Sequence, residues 1–328
     1  MKWAIIGTSF ISGIMADAIN GDEHSEIHSV AGRNPVTLKD FAEKYAVPHT
    51  FTDYDALISD PAVDIVYIAL PNHLHHHYIE KAAAAGKAIL CEKSLSVDME
   101  KSKQALAAVN QHQVFFAEGL MYLCHPLIEK ALSVLASGVI GEVKAIQGSY
   151  VAAISQFVNV ESKGALYNLG CYPMSLAHLI LQQALPAGQG MDYQLSAMGR
   201  IGNDGNICES SATWRFANKI SVQLHTAEDY GLKHHFTVLG SKGSLTFTSN
   251  PWLPTESNEL ELEIYETSKE TITVEALGDA FYHQVRAVRN AIEAGDKSLS
   301  FPKATWQASE DVMTLLTDWE AAARAMLK

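Results

Sequence analysis

Three stretches of the chain combine residue types whose spacing can do chemistry. The first is KWAIIGTSFIS, an apolar run ending in Gly7, Thr8, Ser9, Phe10, Ile11 and Ser12. A strand, a glycine turn and a helix in that order can seat a pyrophosphate on the helix N-terminus. Gly7 suits the tight turn, and Ser12 is small enough for close strand–helix packing. Ser9 stands where a second glycine usually admits phosphate to the backbone; its Cβ costs approach distance, while its hydroxyl can donate a hydrogen bond. Taken alone, this turn fits a dinucleotide cradle and an ordinary βα connection equally well. The second stretch, Ala31-Gly32-Arg33-Asn34, lies where an acid would bind the ribose 2′-hydroxyl of NAD. It offers an arginine instead, whose charge and forked donors suit a 2′-phosphate, so NADP(H) is expected over NAD(H). The third is the histidine run after Asn72. His73 and His77 have a helical zinc spacing, but no glutamate lies between them in the metalloprotease arrangement, and no metal is expected.

The elements that must position these residues follow from periodicity. Residues 2–7, 26–33, the IVYIALP run, KAILCEK and QVFFAEG read as strands. Helices are predicted at 11–19, 35–46, 53–58, 76–85 and 98–111. Such alternation indicates right-handed βαβ units and a doubly wound parallel sheet of α/β class. Near residue 122 the rhythm changes. Longer alternating strands are predicted at 142–153, 193–201, 208–216, 219–227, 234–240, 244–248 and 259–265, with helices at 126–137, 171–183, 278–294 and 303–326. That pattern indicates an α+β domain with a large, mostly antiparallel open sheet. The expected domains are therefore 1–122, Rossmann, and 123–328, α+β, with the last helices able to pack back on the first.

Composition narrows the function classes. With 37 acidic and 24 basic residues the formal charge is −13, which disfavours nucleic acid and anionic lipid as partners. No segment approaches the roughly 18–20 apolar residues of a membrane helix. The cysteines at 91, 124, 171 and 208 are widely spaced and form no CxxC pair, which points to buried reduced thiols. A strand starting at residue 2 leaves no room for a signal peptide, so a cytoplasmic location is expected.

The segment ALPNHLHHHYIEKAAAAGKAILCEKSLSVD resembles the Gfo/Idh/MocA oxidoreductases, a family named after glucose–fructose oxidoreductase and inositol dehydrogenase. Pro71, Asn72 and His75 match its PN-x-x-H turn. Ala85-Gly86-Lys87 and Glu92-Lys93 match its AGK…EKP segment. Further likenesses run from Glu118 to Pro126, through KGALYNLGCYPMSLAHLI and FTVLGSKGSL, to FYHQVRAVRNAIEAG, nearly the whole chain. The Lys–Tyr glucose–fructose oxidoreductase and dihydrodiol dehydrogenase branch is the nearest in motif.

The resemblance implies a Rossmann domain and an α+β domain whose open sheet forms a homodimer or higher oligomer. It implies a dinucleotide held by Gly7, Thr8, Ser9, Phe10, Ile11, Arg33, Leu70, Pro71, Asn72, His75, Glu92 and Lys93. It also implies a catalytic set of Lys93, Tyr172 and Asn168, with a sugar, polyol or related hydroxyl/carbonyl compound as substrate. Hydride transfer to a carbonyl leaves charge on oxygen, so a cation and a proton source are needed. Lys93 would hydrogen-bond the reacting oxygen from the C-terminal end of a strand. Tyr172, a phenol that normally titrates near 10, would exchange the proton, its phenolate favoured by a neighbouring ammonium. Glu92 would orient Lys93 or touch the nicotinamide ribose, His75 would cap or contact the cofactor ribose, and His125 and His178 would line the substrate cleft. Four departures stand out: Asn168 replaces an aspartate, Ser94 the EKP proline, Leu123 an arginine and Leu70 a threonine. They motivate the alternative of a non-catalytic nucleotide-binding sensor or regulatory protein on the same fold.

Overall fold

The computed structural model describes residues 1–185, 192–217 and 219–327. The chain forms two compact units, Met1–Cys124 with Ala280–Glu310, and His125–Asp279 with Asp311–Lys328.

In the first unit β1 (Lys2–Ile6), α1 (Phe10–Asn20), β2 (Glu26–Ala31), α2 (Pro35–Tyr45), β3 (His49–Phe51) and α3 (Tyr54–Ile58) form one half of a doubly wound sheet. The other half is β4 (Ile65–Ile68), α4 (His75–Ala84), β5 (Ala88–Glu92), α5 (Met99–His112) and β6 (Phe116–Gly119). The six strands are parallel, in the order β3-β2-β1-β4-β5-β6. Strands covered on both faces need apolar side chains on both, and β4 and β5 are buried at every position. The order reverses between β1 and β4, the point at which doubly wound sheets open a crevice at their C-terminal ends. Gly7, Leu70 and Lys93 follow β1, β4 and β5 at that edge.

In the second unit, α6 (Pro126–Ala136), β7 (Val143–Ala152) and α7 (Cys171–Ala184) precede β8 (Tyr193–Ile201), β9 (Ile207–Phe216) and β10 (Ser221–Ala227). Then come β11 (Leu232–Gly240), β12 (Gly243–Phe247), β13 (Ser257–Ile264) and β14 (Ser268–Glu275). They form one eight-stranded sheet in the order β14-β13-β12-β11-β7-β10-β9-β8, antiparallel except for the β7–β10 pair. Alternate residues of β9 are buried: Cys208, Ser210, Ala212, Trp214 and Phe216. Trp214 meets Trp319 edge to face at 5.1 Å, and the Trp319 indole donates to Ser210 Oγ at 2.8 Å. The opposite face of the sheet is open.

Two helices close the chain, α8 (Ala280–Glu293) and α9 (Trp306–Ala325). In the first unit Arg289 of α8 makes a buried ion pair with Asp22 at 2.8 Å, and the Trp306 indole donates to Phe116 O at 3.0 Å. The division between units falls inside α9, so its first turn belongs to the first unit and the rest to the second. Two strands went unpredicted. β3 is three partly exposed residues, too short for a periodicity, and the β14 stretch SKETITVE is an exposed edge with little apolar content.

Candidate active site

The turn after β1 is built for close approach. Gly7 has φ +104°, and a Cβ there would stand 2.6 Å from the Ala69 carbonyl oxygen of the adjacent strand end. Only glycine combines that conformation with that spacing. Ser9 is the N-cap of α1; its N–H donates to Ser12 Oγ at 3.2 Å, and the two hydroxyls meet at 3.1 Å. The Ser9 hydroxyl is thus tied into its own helix start. Thr8 Oγ1 meets Thr37 Oγ1 of α2 at 3.1 Å, and Phe10 is 84% exposed. The first turn of α1 carries no acid of its own to compete for the positive end of the helix dipole. This start fits an anionic phosphate.

Arg33 is exposed one residue past Gly32. Asn34 beside it accepts from Val36 N at 2.9 Å and Thr37 N at 3.3 Å, capping α2. Leu70 and Pro71 are half-buried, and Asn72 is buried with its Oδ1 lacking a hydrogen-bond partner among the described residues. A buried acceptor left unmet in the protein alone suits a segment that completes its bonding with a ligand.

His75 lies between the loops after β4 and β5. The ring is fully buried, with Nδ1 2.7 Å from Ser94 O and Nε2 2.7 Å from Leu70 O. Both nitrogens face backbone carbonyls, which ties the loop after β4 to the loop after β5. Burial drives its pKa down to about 4, against the pull of the two carbonyls and with the push of the Lys93 ammonium. At neutral pH the ring is therefore uncharged and donates to one carbonyl at a time.

Lys93 is half-buried just past β5, and the peptide to Ser94 is cis. Its flanks are held at three points. Glu92, buried, accepts from the Tyr67 hydroxyl at 2.7 Å and from Lys93 N at 3.3 Å. Ser94 O is engaged by His75. Leu95 N donates to Glu118 Oε1 at 2.8 Å. Burial raises the pKa of both carboxyls, Glu118 to about 7, with the Glu92 charge adding to the effect and Lys93 opposing it. Glu118 was visible in sequence only as part of a motif, because its role depends on the β5–β6 register that sets Cys91 opposite it.

The second unit brings Asn168 and Tyr172 into one helical run. Residues Leu166–Gly170 form a π-helical turn that leads directly into α7, with Tyr172 in its first turn. Tyr172 is 9% exposed and meets Tyr150 edge to face at 5.4 Å; Tyr150 in turn stacks on Trp252 at 4.9 Å. Asn168 Nδ2 donates to Glu228 Oε2 at 2.7 Å. Glu228, just past β10, is 2% exposed, and burial raises its pKa. Sequence reasoning missed Glu228, because its pairing with a residue sixty positions away leaves no local signal. His125 and His178 are both buried. His125 accepts from Leu127 N at 3.1 Å as the N-cap of α6, and His178 Nε2 lies 3.1 Å from Asp311 Oδ2. Leu123, where the resembling family has arginine, is also buried. Among the described residues no cluster of three or more His, Cys, Asp or Glu side chains is placed to hold a metal ion.

A doubly wound sheet with a phosphate-competent turn at its switch point and a lysine at the same edge defines a dinucleotide-binding oxidoreductase fold. Residues 1–120 match the oxidoreductase family with an NAD-binding Rossmann fold, and residues 128–246 match the GFO/IDH/MocA C-terminal domain. The chain belongs to the Gfo/Idh/MocA oxidoreductase family. It is 28% identical over 280 residues to the uncharacterized oxidoreductase ORF334 of Rhizobium meliloti, covering 82% of this chain and 80% of that one. It is 25% identical over 262 residues to trans-1,2-dihydrobenzene-1,2-diol dehydrogenase of Sus scrofa, covering 78% and 76%. Among solved structures, the 3-ketoreductase KijD10 of Actinomadura kijaniata in complex with NADP shares the fold, with TM-score 0.86, 24% identity and coverage of 98% and 97%.

Proposed function

We propose that this oxidoreductase prefers NADP(H) and acts on a sugar, polyol or related hydroxyl/carbonyl compound. The observation that carries this reading is the coincidence of the Gly7 turn, the Pro71–Asn72 segment and Lys93 at one edge of the sheet's switch point. When bound, the nicotinamide supplies or accepts the hydride. The backbone from Gly7 to Ile11 holds the pyrophosphate at the start of α1, and Leu70, Pro71 and Asn72 flank the nucleotide. His75 fixes the two loops through both ring nitrogens, and Glu92 accepts from the backbone of Lys93. Lys93 hydrogen-bonds the reacting oxygen and stabilises its charge. Tyr172 exchanges the proton, and Asn168 binds a substrate hydroxyl. The diol dehydrogenase likeness supports a hydroxyl-bearing substrate, and the NADP complex of the ketoreductase supports the cofactor choice.

The test is to titrate NADPH and NADH against protein fluorescence and then screen aldoses, ketoses and diols for turnover. A folded protein that binds neither nucleotide would sink the proposal. Binding without turnover across the panel would favour the sensor reading, which the departures Ser94, Leu123 and Asn168 motivate. For the cofactor, Arg33→Asp is expected to shift the ratio of NADPH to NADH dissociation constants about tenfold toward NADH, the equivalent of about 1.4 kcal/mol. An unchanged ratio would remove Arg33 from the 2′-phosphate site.

The assembly we assign is a homodimer or higher homo-oligomer through the open face of the eight-stranded sheet. Support comes from Met198, 68% exposed on that face beside Gln147, Thr213 and Gln223. Sedimentation should show an oligomer that Thr213→Arg converts to monomers; a monomeric parent would refute it. The four cysteines are buried thiols, which supports a reducing, cytoplasmic setting.

A further inference from the structure

We propose that Glu228 is a positioning residue that fixes the Asn168 amide, so that position 168 recognises a substrate hydroxyl as a hydrogen-bond acceptor. The inference rests on the functional reading above and deepens it. A buried carboxylate is costly unless it is held by hydrogen bonds. Glu228 is 2% exposed, and its backbone is fixed at three points. Its N–H donates to Cys208 O at 2.9 Å, and its carbonyl accepts from Ile154 N and Ser155 N, both at 2.8 Å. Its side chain accepts from the Asn168 amide, 2.7 Å away.

That pairing decides which way the amide faces. An ionised carboxylate only accepts hydrogen bonds, so the branch of Asn168 that meets it must be the NH2 group. The amide is planar with nitrogen and oxygen on separate branches, so holding Nδ2 on Glu228 directs Oδ1 along the other branch. An amide oxygen has two lone pairs and can take a substrate hydroxyl in addition to any partner it already has. Asn168 precedes Tyr172 by one helical turn, in the run that leads into α7. A hydroxyl donor held there belongs on a carbon beside the one that reacts. Glu228 thus selects compounds with a free hydroxyl next to the reacting carbon, as in vicinal diols and sugars. The carboxylates of Asp204 and Asp229 lie near Glu228 and, with burial, push its pKa up, while the Asn168 bond pulls it down. The amide contact is therefore also what favours the charged form that orients it.

The experiment uses three variants of the whole protein: Glu228→Gln, Asn168→Asp, and the exchange Asn168→Asp/Glu228→Gln. Each is loaded with NADP+, checked for its melting temperature, and assayed for binding and oxidation of trans-cyclohexane-1,2-diol and D-xylose. In Glu228→Gln the partner can accept or donate, so the amide loses its preferred orientation. KM is expected to rise about tenfold with kcat within threefold, the pattern of lost ground-state and transition-state binding alike. Asn168→Asp sets two carboxylates in contact and is expected to lower the melting temperature as well. The exchange restores one donor and one acceptor, with the acceptor facing the substrate, and should return KM to within threefold of the parent.

An unchanged KM in Glu228→Gln overturns the proposal. So does a raised KM that the exchange fails to rescue while its melting temperature recovers, because that separates packing from substrate recognition. A parent that binds NADP+ but neither compound overturns it too. A parent that binds no nucleotide overturns instead the functional reading beneath it, and the two failures are told apart by the fluorescence titration.

Discussion

Lys93→Met should yield a folded protein that binds nucleotide within threefold of the parent and turns over about 1,000-fold more slowly. The size follows from what the ammonium is asked to do. Charge develops on the reacting oxygen during hydride transfer, and deleting one preorganised donor to such an oxygen costs about 100- to 1,000-fold. Loss of its electrostatic support for proton transfer adds to that; 1,000-fold corresponds to about 4 kcal/mol of barrier. Folding should survive because the loop is also fixed through the backbone of residues 93–95. Lys93 N meets Glu92, Ser94 O meets His75, and Leu95 N meets Glu118. Methionine keeps most of the lysine's unbranched apolar stem in a half-buried position. Steady-state kinetics on the first active substrate, with nucleotide titration as the control, measures both halves of the expectation. Retained turnover would remove Lys93 from the chemistry. Lost nucleotide affinity would make it a cofactor ligand first.

How much of this was legible in the sequence depended on whether a feature is local. Parallel strands buried on both faces write themselves as unbroken apolar runs, which is why β1, β4 and β5 were visible. So was the turn at Gly7, whose positive φ excludes other residues. The fold class and the family followed from these and the linked motifs. β3 and β14 were not visible, since a strand of three residues and a polar edge strand bury too little to impose a period. The side-chain partnerships were hidden for a different reason. His75 sits in a motif, but only the folded loops show that both its nitrogens meet carbonyls. Glu118 and Glu228 become unusual through burial and through neighbours far along the chain, Leu95 and Asn168 respectively. A residue's type tells what it can bond; its partner is set by topology.

Burial of Glu118 should leave a signature in the pH dependence of stability. The carboxyl is 2% exposed, with its pKa raised to about 7 by desolvation and by the nearby Glu92 charge, against an ordinary value of 4.5. A folded-state pKa above the unfolded one means that the fold favours the protonated form. Below about pH 4.5 both states hold the proton and the burial carries no charge penalty. Between about pH 4.5 and 7 the unfolded chain ionises first, so stability falls as pH rises, by about 3 kcal/mol in all. Above about pH 7 both states are ionised and the loss is constant. Glu118→Gln removes this titration while keeping an oxygen that can accept from Leu95 N. Urea unfolding of both proteins from pH 4.5 to 8 isolates the effect, because the remaining groups are common to the two. The curves should lie close together near pH 4.5 and separate through neutrality, with the glutamine variant the more stable at pH 8. Parallel curves would mean that Glu118 ionises as an ordinary carboxylate and that the Leu95 bond already meets the whole cost of its burial. Separation would mean that the loop bearing Lys93 rests on a buried acid that loses its proton near neutral pH.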